Sequence, residues 1–190
     1  QTRETMKSLP FYAQLYMWML TTIAVVLVVL SVLRVDTNAI ALWEALILAA
    51  TIMLADIYPI HLPFESRVEA TVSCALKTAA VILFGPSITV LITLVGTLAA
   101  EIILKRTWFK AMFNTSEMIL TTACMAISYE LFYDGITRNP FHSLQNGLAL
   151  MVLLLVFLVV NMGLVSTMVS LATRVSLRHI VRSNLRDLFW

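Results

Sequence analysis

Four ionisable side chains fall in stretches that are otherwise apolar, and they are the groups with which this chain could do chemistry: Lys77, Asp56, Glu101 and Glu117. At the centre of a membrane helix, Asp, Lys or Arg costs about 2.5 to 3.5 kcal/mol on insertion scales, so each such group needs an opposite charge, a hydrogen-bond partner or water. One reading joins the four into an intramembrane polar network whose protonation or ion occupancy shifts helix packing, with Lys77 at its centre. The plainer alternative has Lys77 snorkelling and neutralised by one carboxylate, Glu117 capping a helix, and Asp56 and Glu101 facing headgroup water. Glu44 stands apart, beside Trp43 near the other end of its segment.

Catalysis finds no footing in the remaining residues. There is no Ser-His-Asp set, no H-E-x-x-H, no phosphate-binding Gly-rich loop and no carboxylate pair in a shared aqueous cleft. His61, His142 and His179 are too far apart in the expected topology to build one metal site, and no cofactor is expected. Cys74 and Cys124 lie in apolar segments without C-x-x-C spacing and read as packing residues.

The elements that position these groups are apolar helices. Residues are 60% apolar and 13% charged, with a mean hydropathy of +0.90. A soluble domain is roughly 45 to 50% apolar, so an integral membrane protein is expected. Six segments follow: Phe11 to Leu33, Ala39 to Tyr58, Ala70 to Phe84, Ile88 to Leu104, Met112 to Tyr133 and Leu144 to Leu171. The third is too short to span a bilayer alone and should be surrounded by other helices, so Lys77 on it should be central. Gly85-Pro86 predicts a tight hairpin between the third and fourth, with Gly ending one helix and Pro beginning the next. Between the second and third, Pro59 to Arg67 reads as a structured loop with strand-like alternation. Asn114 and Glu117 have capping-box spacing, which predicts that the fifth helix proper starts near Thr115. Gly96 and Ala100 form one small-residue packing face, and Gly163, Ser166, Thr167 and Ser170 another, with Asn161 available to bond between helices.

Charge fixes the expected sidedness. Threading the six segments puts Arg3, Lys7, Arg67, Lys105, Arg106, Lys110, Arg174, Arg178, Arg182 and Arg186 on one side, with Arg34 and Arg138 opposite. Short loops rich in Lys and Arg stay cytoplasmic, so both termini are expected inside a bacterial-type inner membrane. Lys105, Arg106, Trp108 and Lys110 form an inner interface anchor. After the bundle of residues 1–173, Arg174, Arg178, Arg182 and Arg186 recur every four residues in a segment, 174–190, that reads as a basic amphipathic helix or connector. Anionic headgroups or an acidic partner suit that stripe, whereas nucleic acid is not expected. Hydrophobicity rises again at Leu188-Phe189-Trp190, which leaves a fused cytoplasmic output domain as one expected partner.

Leu83-Phe84-Gly85-Pro86, the run from Gly96 to Glu101, and Lys105-Arg106-Thr107-Trp108-Phe109-Lys110-Ala111-Met112-Phe113-Asn114 together resemble the membrane-embedded input modules of bacterial HD-GYP phosphohydrolase and diguanylate cyclase signalling proteins. More distantly they resemble the S-components of energy-coupling-factor transporters. The first resemblance implies a non-enzymatic sensor or anchor that passes a membrane or small-ligand signal to a cytoplasmic output. The second implies small-solute binding for transport, although Ala13 is followed four residues later by Met17 where S-components carry a second small residue. An accessory or structural subunit of a larger membrane complex is the remaining expectation, motivated by the small-residue faces.

Overall fold

The computed structural model describes residues 9–35, 42–58, 60–61, 69–70 and 72–189. Pro10, with φ −56° and ψ 148°, leads into α1, Phe11–Arg34. It is followed by α2 (Leu42–Ile57), a two-residue antiparallel ladder of β1 (Ile60–His61) with β2 (Glu69–Ala70), and α3 (Ser73–Ile103). Then come α4 (Trp108–Phe132), α5 (Leu144–Thr173) and α6 (Leu177–Phe189). The expectation of an all-α fold holds, with a strand pair where the second loop was expected to be structured. Arg3, Lys7, Arg67 and the turn Asp36-Thr37-Asn38 lie outside the described residues.

α3 is two helices in sequence and not one long rod, because Gly85 breaks it with φ 73° and ψ −176°. Lys77 Nζ and Thr97 Oγ1 both reach Asp56 Oδ2, at 3.5 and 3.1 Å. A straight helix would hold residues that far apart in sequence about 30 Å from each other, at 1.5 Å per residue. The two arms, 73–84 and 86–103, therefore fold back on one another. Their packing on α4 agrees: Lys77 and Val81 meet Met118 and Met125 in ascending order, whereas Thr93 and Glu101 meet Thr122 and Asn114 in descending order. Gly supplies a backbone conformation that other residues adopt only under strain, and Pro86 supplies a first helical residue that lacks the orphan N–H.

With α3 counted as two arms, consecutive rods alternate in direction. Met17 and Leu20 pack with Phe109 and Phe113, and Ala24 with Ile119 and Ala123, so α1 and α4 run the same way. Leu153 clusters with Met125, Asn161 bonds Glu117, and Met168 packs near Phe109, so α5 runs against them. The start of α1, the end of α2, both ends of α3, the start of α4 and the end of α5 thus share one end of the bundle. Lys105, Arg106, Lys110 and Arg174 lie there, and it is called the basic end below.

The distribution of polarity is inverted relative to a soluble domain. Large apolar side chains such as Val25, Val29, Leu46, Ile47, Leu155 and Val159 are exposed, while Lys77, Glu117, Asn146 and a series of threonines are buried. Contiguous exposed apolar surface on this scale marks contact with lipid. Three helices, α1, α3 and α5, are long and apolar enough to cross a membrane, and the chain is a membrane protein. Buried and lipid-depth hydroxyls are mostly satisfied within their own helix: Thr21, Thr51, Thr89, Thr167 and Thr173 each donate to the carbonyl four residues back.

Lys77 is 1% exposed, as a surrounded third segment requires, and α4 shares the central place, packing on α1, α3 and α5. Two other expectations change. α4 begins at Trp108, with Thr107 as its N-cap, so Asn114 and Glu117 lie inside the helix and do not cap it. The sixth segment ends at Thr173 with Arg174 in the left-handed conformation (φ 59°). Arg174 is therefore a joint, and of the four stripe arginines only Arg178, Arg182 and Arg186 belong to α6.

Candidate functional site

Helix direction gathers Asp56, Lys77, Glu101 and Glu117 in the half of the bundle nearer the basic end, where they form three adjoining groups. In the first, Lys77 sits one turn into α3 and donates to Ser73 Oγ at 3.2 Å and to Met118 Sδ at 3.4 Å. Its ammonium pairs with Asp56 Oδ2 at 3.5 Å, and Thr97 donates to the same oxygen. The pair ties α2 to both arms of α3. Gly96 makes this possible, since a Cβ there would stand 2.8 Å from the Ala49 carbonyl oxygen and 3.0 Å from an Ile52 methyl. Ala100, one turn further on, is buried beside it in sequence.

The second group is Glu117, 2% exposed, whose Oε1 accepts from Thr121 Oγ1 at 2.8 Å and Asn161 Nδ2 at 3.0 Å. Glu117 lies within electrostatic reach of Lys77 without touching it. In the third, Glu101 Oε1 accepts from Arg106 Nη1 at 3.2 Å and Asn114 Nδ2 at 3.0 Å, while Oε2 is buried with no partner. The four residues are thus brought near one another, but hydrogen bonds join only Lys77 with Asp56. Asn161, Asn114 and Thr97 divide the rest.

Other singled-out residues take the following places. Lys105 (φ 50°), Arg106, Trp108 and Lys110 are exposed at the basic end, with Trp108 edge-on to Phe109 at 6.4 Å. Arg178 and Arg182 are exposed on α6, and the side chain of Arg186 lies outside the described residues. Ser166 is fully buried, and Ser170 donates to the Val175 carbonyl at 2.7 Å across the α5–α6 joint. Gly163, expected on the same packing face, has open space around it, with nothing within 4 Å of where a Cβ would stand. Cys74 is half-buried and Cys124 exposed.

A second constellation, at the opposite end, was missed in the sequence. Arg138 in the α4–α5 loop folds over the tip of the α3 hairpin: Nη1 donates to the Val81 carbonyl at 3.2 Å and Nη2 pairs with Glu130. Its guanidinium lies 5.7 Å from the centre of the Tyr133 ring, which stacks on Tyr129, and Tyr129 in turn donates to the Arg138 carbonyl at 2.7 Å. Asn146, fully buried, accepts from the Asp134 N–H at 2.9 Å and donates to the Thr137 and Asn139 carbonyls at 2.8 and 2.9 Å. The available signal was a lone arginine in an outer loop rich in Asp, Asn and Gly.

This loop carries a pH dependence. The Ser143 hydroxyl, donating at 2.7 Å, and the N–H groups of Ile136 and Thr137 hold the Asp134 carboxyl below the ordinary aspartate range. A lowered folded-state pKa contributes stability that is present above the unfolded value of about 3.9 and is lost as pH falls through the folded one. The protection of amides in residues 134–146, relative to their intrinsic exchange rates, should therefore be full at neutral pH and fall below about pH 4. Ser143→Ala should shrink that acid-induced loss of protection, and a loss of unchanged size would remove Ser143 from this role.

Comparison with family models, curated proteins and solved structures gives no match.

Proposed function

We propose that the chain is a six-crossing inner-membrane module with both termini cytoplasmic, a non-enzymatic sensor or anchor that relays a membrane or small-ligand signal through α6. Alternating rod direction and the gathering of cations at one end support the topology. The two arms of α3 cross as a hairpin, about 18 and 27 Å long at 1.5 Å per residue, their ends covered by neighbouring helices and interfacial side chains.

The observation that carries the relay is how α6 is attached. It packs on α5 beyond the left-handed break at Arg174, and α5 is itself tied to the buried interior by Asn161 on Glu117. A shift of α4 at Glu117 therefore moves α5, and the break at Arg174 converts that movement into a change in the angle of a basic helix at the headgroups.

Spin labels at Arg178→Cys and Lys105→Cys, in a Cys74→Ser/Cys124→Ser background reconstituted in nanodiscs, test this. Asn161→Ala should shift or broaden the inter-label distance, and an unchanged distribution would sink the relay. In inverted membrane vesicles the Arg178→Cys thiol should react with an impermeant maleimide, and protection there would overturn the topology.

A further inference from the structure

Between α1, the second arm of α3 and the start of α4 lies a cavity of about 660 Å³, within the size range of small-molecule sites. Its walls are apolar, with Val25, Val28, Leu94 and Leu98 prominent, and the exposed Val29 and Ile102 at its edge open it sideways towards the surroundings of the bundle. Glu101 and Thr115 are among the residues that line it, and Glu101 Oε2 and Thr115 Oγ1 are buried with no partner. Glu101 is 5% and Thr115 6% exposed. Thr115 departs from the threonines that donate to the carbonyl four residues back. A buried carboxylate oxygen and a buried hydroxyl left unsatisfied in one apolar cavity call for a ligand that supplies what they lack.

We infer that this cavity binds a membrane lipid with an uncharged hydroxyl head, such as a long-chain or isoprenoid alcohol. A hydroxyl can donate to Glu101 Oε2 while accepting from Thr115 Oγ1, and it does so without adding charge to an apolar cavity. An ammonium head is disfavoured because the Arg106 guanidinium, 3.2 Å from the other oxygen of Glu101, already neutralises that carboxylate and repels a second cation. A carboxylate head would face the unpartnered Oε2. The tail lies against the valine and leucine walls and enters from the bilayer, not from water.

Trp108 lines the cavity and reports occupancy. The full chain with Trp18, Trp43 and Trp190 changed to Phe, in nanodiscs, is titrated with 9,10-dibromo-octadecan-1-ol, and with the methyl ether, amine and carboxylic acid of the same chain. The alcohol should quench saturably, at about tenfold lower mole fraction than the ether, the amount expected for one or two well-made hydrogen bonds. Thr115→Val removes a hydroxyl that has no partner in the protein, so it should leave folding intact and weaken the alcohol and the ether alike, about three- to tenfold, because both accept from Thr115 and only the alcohol donates to Glu101. Ala111→Phe, which fills the cavity one helical turn from Thr115, should abolish saturable quenching, and Thr115→Val keeps the test decisive if that variant does not fold. Equal quenching by alcohol and ether, tighter binding of the amine or acid, or an indifferent Thr115→Val would overturn the assignment. The inference deepens the relay reading and rests on it only for what binding achieves. Saturable quenching with no movement of the Arg178 label would keep the site and remove the relay, whereas absent quenching with the Asn161→Ala shift intact would remove the site alone.

Discussion

Asp56→Leu alone should destabilise the folded protein by about 3–5 kcal/mol, because it leaves Lys77 charged and buried without its counter-ion. Lys77 is 1% exposed, and its other contacts, the Ser73 hydroxyl and the Met118 sulfur, are neutral. Lys77→Met should cost less. Asp56 is 15% exposed and keeps its bond from Thr97, so the stranded carboxylate is partly solvated. The decisive variant is the double one: Asp56→Leu/Lys77→Met removes both desolvation costs with the single Coulombic gain and should recover wild-type stability or exceed it. Equilibrium unfolding in mixed micelles measures all three. If the double variant loses the sum of the single losses, the pair is not the electrostatic unit described here.

Gly85→Ala should destabilise the protein both through its backbone and through a side-chain clash. Its backbone, φ 73° and ψ −176°, lies in a region that is almost exclusively glycine's, and forcing another residue there costs about 1–3 kcal/mol. The added Cβ would also stand 2.9 Å from both terminal nitrogens of the Arg138 guanidinium, which is anchored on Val81 and Glu130 and cannot simply swing away. Gly135 separates the two effects, since its φ is 75° but nothing lies within 4 Å of a Cβ there. Gly135→Ala should therefore pay for backbone strain alone. Repeating Gly85→Ala in an Arg138→Ala background should recover about 1 kcal/mol or more of its cost, as expected for residues in contact. Additive losses would show that Arg138 does not press on the hairpin tip.

Much of this arrangement was legible in the sequence because it depends on local signals. Apolar runs located the helices, Gly85-Pro86 marked the fold-back, and the cation distribution matched the alternation of the rods. Lys77 was recognisable because an ammonium in an apolar run must find a partner, and Asp56 was among the few candidates. What was not legible depends on contacts between residues distant in sequence. Asn161 and Asn114 divide one expected network into separate groups, and nothing in their local sequence says which carboxylate each will reach. Glu117 and Asn114 had the spacing of a cap, but Trp108-Phe109 extends the helix upstream: Phe109 buries against α1 and converts an expected interfacial anchor into the first turn of α4. Segment length pointed to a central place for the Lys77 arm but not to α4, which shares that place by offering Thr, Ser and Glu side chains to α1, α3 and α5. Arg138 escaped because polar residues in a loop ordinarily face water, and Asn146 because a polar residue in the first turn of a helix ordinarily does too; only the folded loop packed over α5 turns them inward.

The fold-back at Gly85 also bears on how the chain is made. On the membrane reading, the first arm of α3 is a poor independent substrate for insertion, being about 18 Å long at 1.5 Å per residue and carrying an ammonium. The two arms therefore enter the bilayer together as a hairpin, and they do so after α2, whose Asp56 must already be waiting for Lys77. Synthesis from the N-terminus supplies that order. Arg138 is translated more than fifty residues after Gly85, so the hairpin tip is latched only once the α4–α5 loop has crossed. Biogenesis is thus a sequence of dependent steps on this reading, and a lesion at Asp56 would act before one at Arg138, when the Lys77 arm seeks its counter-ion on α2.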